Sequence, residues 1–197
     1  MRLIGLCGRS GSGNSVFAEV AKEYGITVVD CDELYAEMVS KPSPCLAEIE
    51  KNFGVEAVKG GALDREYMAP LVFGDKQKLA LLNKITHKHI TSELEKIFKT
   101  FGEDEVVILD APTLFESGLE QKCELIISVI APYDDCVKRI TERDNIPVEK
   151  AEARLASQKT DEFLIENSDI LVYNDSSLQA FETACGDIAQ KLKGGSL

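Results

Sequence analysis

The chain has no apolar run long enough to span a membrane, no C-x-x-C pair, and only two histidines, His87 and His89, among its 197 residues. The first absence excludes a transmembrane segment. The second and third leave no ligand pattern for structural zinc. The N-terminus lacks a basic segment followed by a long apolar stretch and a small-residue cleavage site, so secretion is not expected. Positive charge is also scarce. Lys and Arg number 22 against 34 Asp and Glu, a formal net charge of -12, which argues against broad nucleic-acid binding because phosphate backbones demand a basic surface. Six cysteines (Cys7, Cys31, Cys45, Cys123, Cys136, Cys185) are scattered, and Cys7 and Cys31 lie in or just after strand candidates. That placement suits reduced, buried thiols, and with them a cytoplasmic location. There is no internal repeat, no low-complexity tract and no linker, so residues 1–197 read as one α/β domain with an inserted lobe.

What is present is alternation. Short apolar, β-branched runs at 2–7, 26–30, 106–110, 124–130 and 170–174 are separated by helical patterns, as buried parallel strands are. Right-handed crossovers between them predict a five-stranded parallel sheet in the order 2-3-1-4-5, sandwiched between helices. Between the second and third strands lie more than seventy residues with little strand character. Ser43-Pro44 reads as an N-cap with proline at the first helical position, and Gly60-Gly61 as a turn. Asp64 and Asp75 cap further helices. Leu79, Leu82, Ile85, His89 and Leu94 recur close to period 3.6. This segment, 33–104, is expected to be a helical lobe on the α/β core.

Residues 8 to 15 read GRSGSGNS, directly after the strand Leu3-Ile4-Gly5-Leu6-Cys7. A phosphate-gripping loop reads G-x-x-x-x-G-K-[ST], and this one matches except at the lysine, where Asn14 stands. Gly8, Gly11 and Gly13 let several backbone N–H groups turn inward, an anion site capped by a helix N-terminus. Val16, Phe17, Val20, Ala21 and Tyr24 continue that helix, and Gly25 closes it. Ser15 stands where a magnesium-ligating hydroxyl belongs. At the end of the second strand, Asp30 and Asp32 are carboxylates at the crevice where such sheets bind ligands. Asp32 reads either as a cap for the next helix or as a proton acceptor and holder of magnesium waters. Asp110 ends the third strand in a comparable place. Lys138, Arg139, Arg143, Lys150, Arg154 and Lys159, interleaved with Glu142, Asp144, Glu149 and Glu152, are either a solvated helix face or a local cation cluster for a phosphorylated ligand.

The segments LIGLCGRSGSGNS, GITVVDCDELYAE, SPCLAEIEKNFG, GGALDREYMAPLVF, LLNKITHKHI, ILDAPTLFESGL and KRITERDNIPVEKAEARLASQ together resemble the dephospho-coenzyme A kinase family over nearly the whole length. The resemblance implies a P-loop kinase that moves the γ-phosphoryl group of ATP to the ribose 3′-hydroxyl of dephospho-CoA with Mg2+. It implies that Asp32 is the general base and that Arg139 and Arg143, on a lid at about 133–160, neutralise transferring charge. Gly8, Arg9, Ser10, Gly11, Ser12, Gly13, Asn14, Ser15 and Val16 would hold ATP, with Ser15 and Asp32 at the metal. Asp30, Arg65, His87, Leu114, Phe115 and Glu116 would line the acceptor side. The partners implied are ATP and dephospho-CoA, without nucleic acid or membrane, in a monomer or small homo-oligomer.

The pattern departs from the family at several positions. Asn14 replaces the lysine, Arg9 a glycine, Val16 a threonine, Asp161 an arginine after the lid, and Lys88 a proline. A lysine at 4 Å from phosphate contributes up to about 4 kcal/mol at intermediate dielectric, roughly a thousandfold in rate if felt only in the transition state. Arg9 is near enough in sequence to swing over the phosphates. Two alternatives therefore stand beside the kinase: a nucleotide- or CoA-binding pseudokinase, and a related P-loop kinase with another hydroxyl acceptor.

Overall fold

The computed structural model describes residues 1–197, the side chain of Phe73 excepted. In chain order the elements are β1 (Arg2–Gly8), α1 (Asn14–Glu23), β2 (Thr27–Asp30), α2 (Cys31–Ser40), α3 (Pro44–Phe53), β3 (Val58–Lys59) and β4 (Ala62–Leu63). They continue with α4 (Arg65–Phe73), α5 (Lys76–Phe98), β5 (Val106–Asp110), α6 (Leu114–Ser117) and β6 (Leu125–Ile130). The chain ends in α7 (Tyr133–Asp144), α8 (Val148–Ala156), α9 (Asp161–Glu166), β7 (Ile170–Tyr173) and α10 (Leu178–Lys193). Two compact units result: residues 1–29 with 102–197, and residues 30–101.

The first unit is built on a five-stranded parallel sheet in the order β2-β5-β1-β6-β7. The short hairpin β3–β4 uses two numbers of its own. Counting only the strands of the large sheet, the order is the expected 2-3-1-4-5. Side-chain alternation along β1 explains why both faces are covered. Ile4 and Leu6 point into a core with Phe17, Ala18 and Ala21 of α1 and Phe181, Cys185, Ala189 and Leu192 of α10. Gly5 faces the other way, and a Cβ there would lie 2.8 Å from Leu114 of α6 and 3.0 Å from Cys123 Sγ. A smaller core joins α7 and α8 through Cys136, Ile140, Ala151 and Leu155.

The second unit is mainly helical because its capping signals are obeyed. Ser43 Oγ accepts from Leu46 N at 3.0 Å, with Pro44 in the first turn. Asp64 accepts from Tyr67 N at 2.9 Å, and Asp75 from Gln77 N at 2.9 Å. Met38, Val39, Cys45, Ile49, Met68, Val72 and Ile85 form its core, with Leu79 and Leu82 packed against it. Gly60 and Gly61 turn β3 into β4, strand structure that was not expected in this segment. The stripe on α5 holds, and within it His89 lies 2.7 Å from Glu48.

None of the six cysteines forms a disulfide, and five of them are buried. Burial pushes Cys7 and Cys45 up to about 11 and Cys123 and Cys185 up to about 12, which makes them inert at neutral pH. Among the described residues no helix is long and apolar enough to cross a membrane.

Candidate functional site

The loop between β1 and α1 is built by glycines that nothing else can replace. Gly13 has φ 122°, and a Cβ on it would meet Asn174 Nδ2 at 2.7 Å and the Phe181 ring at 3.0 Å. Gly8 is equally confined, since its Cβ would lie 2.5–2.7 Å from the Asn14 side-chain amide, Ser12 Oγ and Val129 O. The loop is then fastened from outside. Asn174 donates to Ser12 O at 2.7 Å, and Arg139 of α7 donates to Gly11 O at 3.0 Å. Gln158, after α8, both accepts from Ser10 N at 3.0 Å and donates to Ser10 Oγ at 3.1 Å. With several loop carbonyls occupied in this way, and with α1 beginning at Asn14, the arrangement leaves N–H groups and the positive end of a helix for an anion.

Asn14 does not project from this cradle. In the amide orientation that satisfies both ends, its nitrogen donates to Cys7 O and Ser12 Oγ and its oxygen accepts from Gly8 N, each at 3.2 Å. The side chain thus closes the loop onto its own strand. Ser15, one residue on, is exposed in the first turn of α1 and presents a hard hydroxyl oxygen. Val16 is half-buried, with its side chain packed against the main core and bordering a surface groove beside Ser15.

Arg9 also differs from expectation. Its guanidinium does not hang free to swing over phosphates, because Nη1 lies 3.5 Å from Asp161 and Nη2 donates to Leu155 O at 3.1 Å. The Tyr133 ring covers it, with 5.4 Å between the guanidinium carbon and the ring centroid. Arg143 binds Asp144 at 2.7 Å, and Arg154 shares the same carboxylate. Two arginines of the basic run at 138–159 are therefore spent on one acid of the same run. Gly8, Arg9, Phe115, Glu116, Gln158 and Lys159 surround one small cavity of about 10 Å³, enough for a single water. Phe115 stacks edge-on against Phe163 at 5.1 Å. Leu114, expected to line the acceptor side, is fully buried beneath Gly5 and can only serve packing.

A larger groove, about 560 Å³, runs between α1 and α10, but Glu19, Glu23 and Glu182 line it. Three carboxylates repel a polyphosphate, so the groove is not the anion site despite its size.

In the second unit, Asp30 rather than Asp32 caps α2. Its Oδ1 accepts from Asp32 N at 2.8 Å and Glu33 N at 3.0 Å. The helix begins at Cys31, one residue before Asp32, so the Asp32 side chain is left without the capping duty that the sequence also allowed. Solvent reaches Asp32, yet the protein around it partly desolvates the carboxylate, and the Asp30 charge adds to this. Both effects push its pKa above the ordinary 3.8. Arg65 opens α4, exposed, and its charge is felt by the Tyr35 hydroxyl. His87 is half-buried on α5.

A β1–glycine loop–α1 unit with an exposed serine, set in a sheet of this order, has the form of an anion-binding loop. The family model described as dephospho-CoA kinase matches residues 2–180. The chain belongs to the dephospho-CoA kinase family. A protein of Corynebacterium glutamicum named dephospho-CoA kinase is 34% identical over 183 residues, covering 91% of each chain. Among solved structures, a Thermus thermophilus protein superposes with a TM-score of 0.82 at 31% identity over 97% of both chains. Dephospho-CoA kinase from Campylobacter jejuni gives 0.76 at 26% identity over the full length of both. Within a family whose members carry this name, the loop contacts of Gln158 and Asn174 were the residues that reading the sequence missed. Asn174 was legible by the same logic as Asp110, a polar residue ending a buried strand. Gln158 had no signal beyond its place in a family-like segment.

Proposed function

We propose that the protein phosphorylates the 3′-hydroxyl of dephospho-CoA with ATP, giving coenzyme A and ADP. The observation that carries the proposal is the match of a full-length family to a chain whose glycine loop is intact in backbone and fastened at Ser10, Gly11 and Ser12. The loop N–H groups and the α1 N-terminus receive the phosphate chain. Ser15, an exposed hard oxygen, would be a ligand for Mg2+, and Asp32 would be the carboxylate for its waters; the ion would supply charge neutralisation to the phosphate chain. Asp32 accepts the proton of the attacking ribose hydroxyl as its oxygen bonds to the γ-phosphorus and the bridging oxygen leaves with ADP. Arg139, already at the loop, and Arg143 neutralise the transferring group, on a lid formed by residues 133–160. Arg65, His87, Phe115 and Glu116 serve the acceptor, and residues 33–104 its lobe. Five buried thiols suit a reducing, cytoplasmic compartment.

The test is ADP release by the protein with MgATP, with and without dephospho-CoA, alongside the mass of the acceptor. Expected is one ADP per acceptor phosphorylated. ATP binding without dephospho-CoA-dependent ADP release overturns the proposal. That result favours the pseudokinase reading, to which the inward-turned, neutral Asn14 lends support.

A further inference from the structure

The loop lacks its own ammonium, and the cations around it are unequal. Arg9 is matched by Asp161, Arg139 has Asp135 at 3.9 Å, and Arg143 and Arg154 share Asp144. Lys159 is different. Among the described residues no carboxylate lies within ion-pair distance of its ammonium, which sits 4.4 Å over the face of Phe163. A ring face attracts a cation less strongly than a carboxylate does, so the charge is held in place but not neutralised. Phe163 is itself braced edge-on by Phe115. Lys159 follows Gln158, whose amide is clamped to both the N–H and the hydroxyl of Ser10. The ammonium is therefore carried by a segment tied to the loop. Lys159 also lines the same cavity as Gly8 and Arg9.

We propose that Lys159 is the residue that contacts the phosphate chain of the bound nucleotide, supplying from the α8–α9 connection the ammonium that position 14 does not carry. The inference rests on the nucleotide reading of the loop. It assigns to Arg9 a different duty: with Asp161, Leu155 and Tyr133 it holds the connection against the loop. The charge delivered to phosphate comes from a lysine approaching opposite the loop backbone. An incoming anion competes only with an aromatic face for that lysine, whereas for Arg9 it would have to displace a carboxylate. Glu116 is the one acidic residue on the cavity wall, and it forms no ion pair with Lys159.

The test uses Lys159→Met, Lys159→Arg and Asn14→Lys in the full chain, with two readouts: turnover with dephospho-CoA, and binding of inorganic tripolyphosphate as a function of salt. Lys159 is only half-buried, so Lys159→Met is expected to fold with an unchanged melting curve. Lys159→Met should lower kcat by about a hundredfold, as removal of a transition-state donor does. It should also weaken tripolyphosphate binding and flatten its salt dependence, while Lys159→Arg keeps most of both. Asn14→Lys should restore more activity in the Lys159→Met background than it adds to the wild type, because the two ammoniums answer one need. The inference is overturned if Lys159→Met keeps wild-type turnover and tripolyphosphate affinity, or if the Asn14→Lys gain is the same in both backgrounds. A wild type that binds tripolyphosphate through Lys159 yet never phosphorylates dephospho-CoA upholds this inference and overturns the functional reading. A wild type that binds no tripolyphosphate overturns this inference, while the functional reading still stands or falls on turnover with dephospho-CoA.

Discussion

The glycine loop and the end of β2 each place functional groups after a strand of the sheet, and they solve the local hydrogen-bonding problem in opposite ways. In the loop, side chains are spent on structure: Asn14 closes the turn, Ser12 is buried, and Arg9 is bound to Asp161. What remains for a ligand is backbone and one exposed hydroxyl. At the end of β2, one side chain does the structural work for both, since Asp30 alone caps α2 and so frees Asp32. The lesson concerns division of labour. A loop that binds by N–H groups tolerates substituted side chains, whereas a site that works through one carboxylate has no substitute for it.

The most severe way to probe that comparison is Asp32→Asn. If Asp32 is the base, kcat falls by about a hundredfold or more while ATP affinity changes far less, because the amide still hydrogen-bonds a metal-bound water but cannot accept the proton. Retention of wild-type turnover would remove Asp32 from the mechanism. The raised pKa adds a second, opposite readout. A carboxyl whose folded pKa lies above its unfolded value contributes stability at acid pH that is lost as pH rises through the folded value. At neutral pH the ionised Asp32 is therefore a small liability, reduced by its contact with solvent. Asp32→Asn should raise the melting temperature at pH 7 and not at about pH 3. The acidic limb of kcat/KM should lie above the 3.8 of an ordinary aspartate.

Gly13→Ala tests the backbone half of the comparison. At φ 122° with Asn174 and Phe181 closing in, an added Cβ costs about 1–3 kcal/mol, a loss read as about 2–4 °C in melting temperature for each kcal/mol in a chain of this size. Tripolyphosphate affinity should fall with it. A variant that melts as the wild type does would show that the loop is looser than these contacts require.

How much of this was legible beforehand follows from what each feature depends on. The strands of the large sheet, the caps at Ser43, Asp64 and Asp75 and the glycine loop rest on local patterns, so they could be read. The hairpin at 58–63 could not, because two-residue strands carry no periodicity and only Gly60-Gly61 announced it. Leu114 was placed in the site by resemblance, and burial moves its side chain into the core. The fate of Arg9 depends on Asp161, about 150 positions away, and pairing at that distance leaves no trace in either segment alone. The same is true of Lys159, whose lack of a carboxylate is a property of the fold.

The smallest effect is expected at Asp144, where the basic belt neutralises itself. Arg143 donates to it through Nε and Nη2 at 2.7 and 3.1 Å, and Arg154 adds a further bond. Hydrogen bonds from Arg143 and Arg154 hold this carboxyl far below the usual carboxylate range. A depressed folded pKa means stability that is present above the unfolded value and lost as pH falls, so Asp144→Asn should lower the melting temperature at pH 7. The difference should shrink once pH drops below the ordinary 3.8. Because the two arginines are largely exposed, the loss should be only about 0.2–1 kcal/mol, and high salt should diminish it. The variant also separates two views of the belt. If Arg143 must leave Asp144 to meet a phosphate, releasing it in advance lowers the work of lid closure, and turnover at saturating ATP does not fall. If turnover falls as far as it does in Arg143→Ala, the ion pair is instead what positions Arg143, and the lid works with its salt bridges intact.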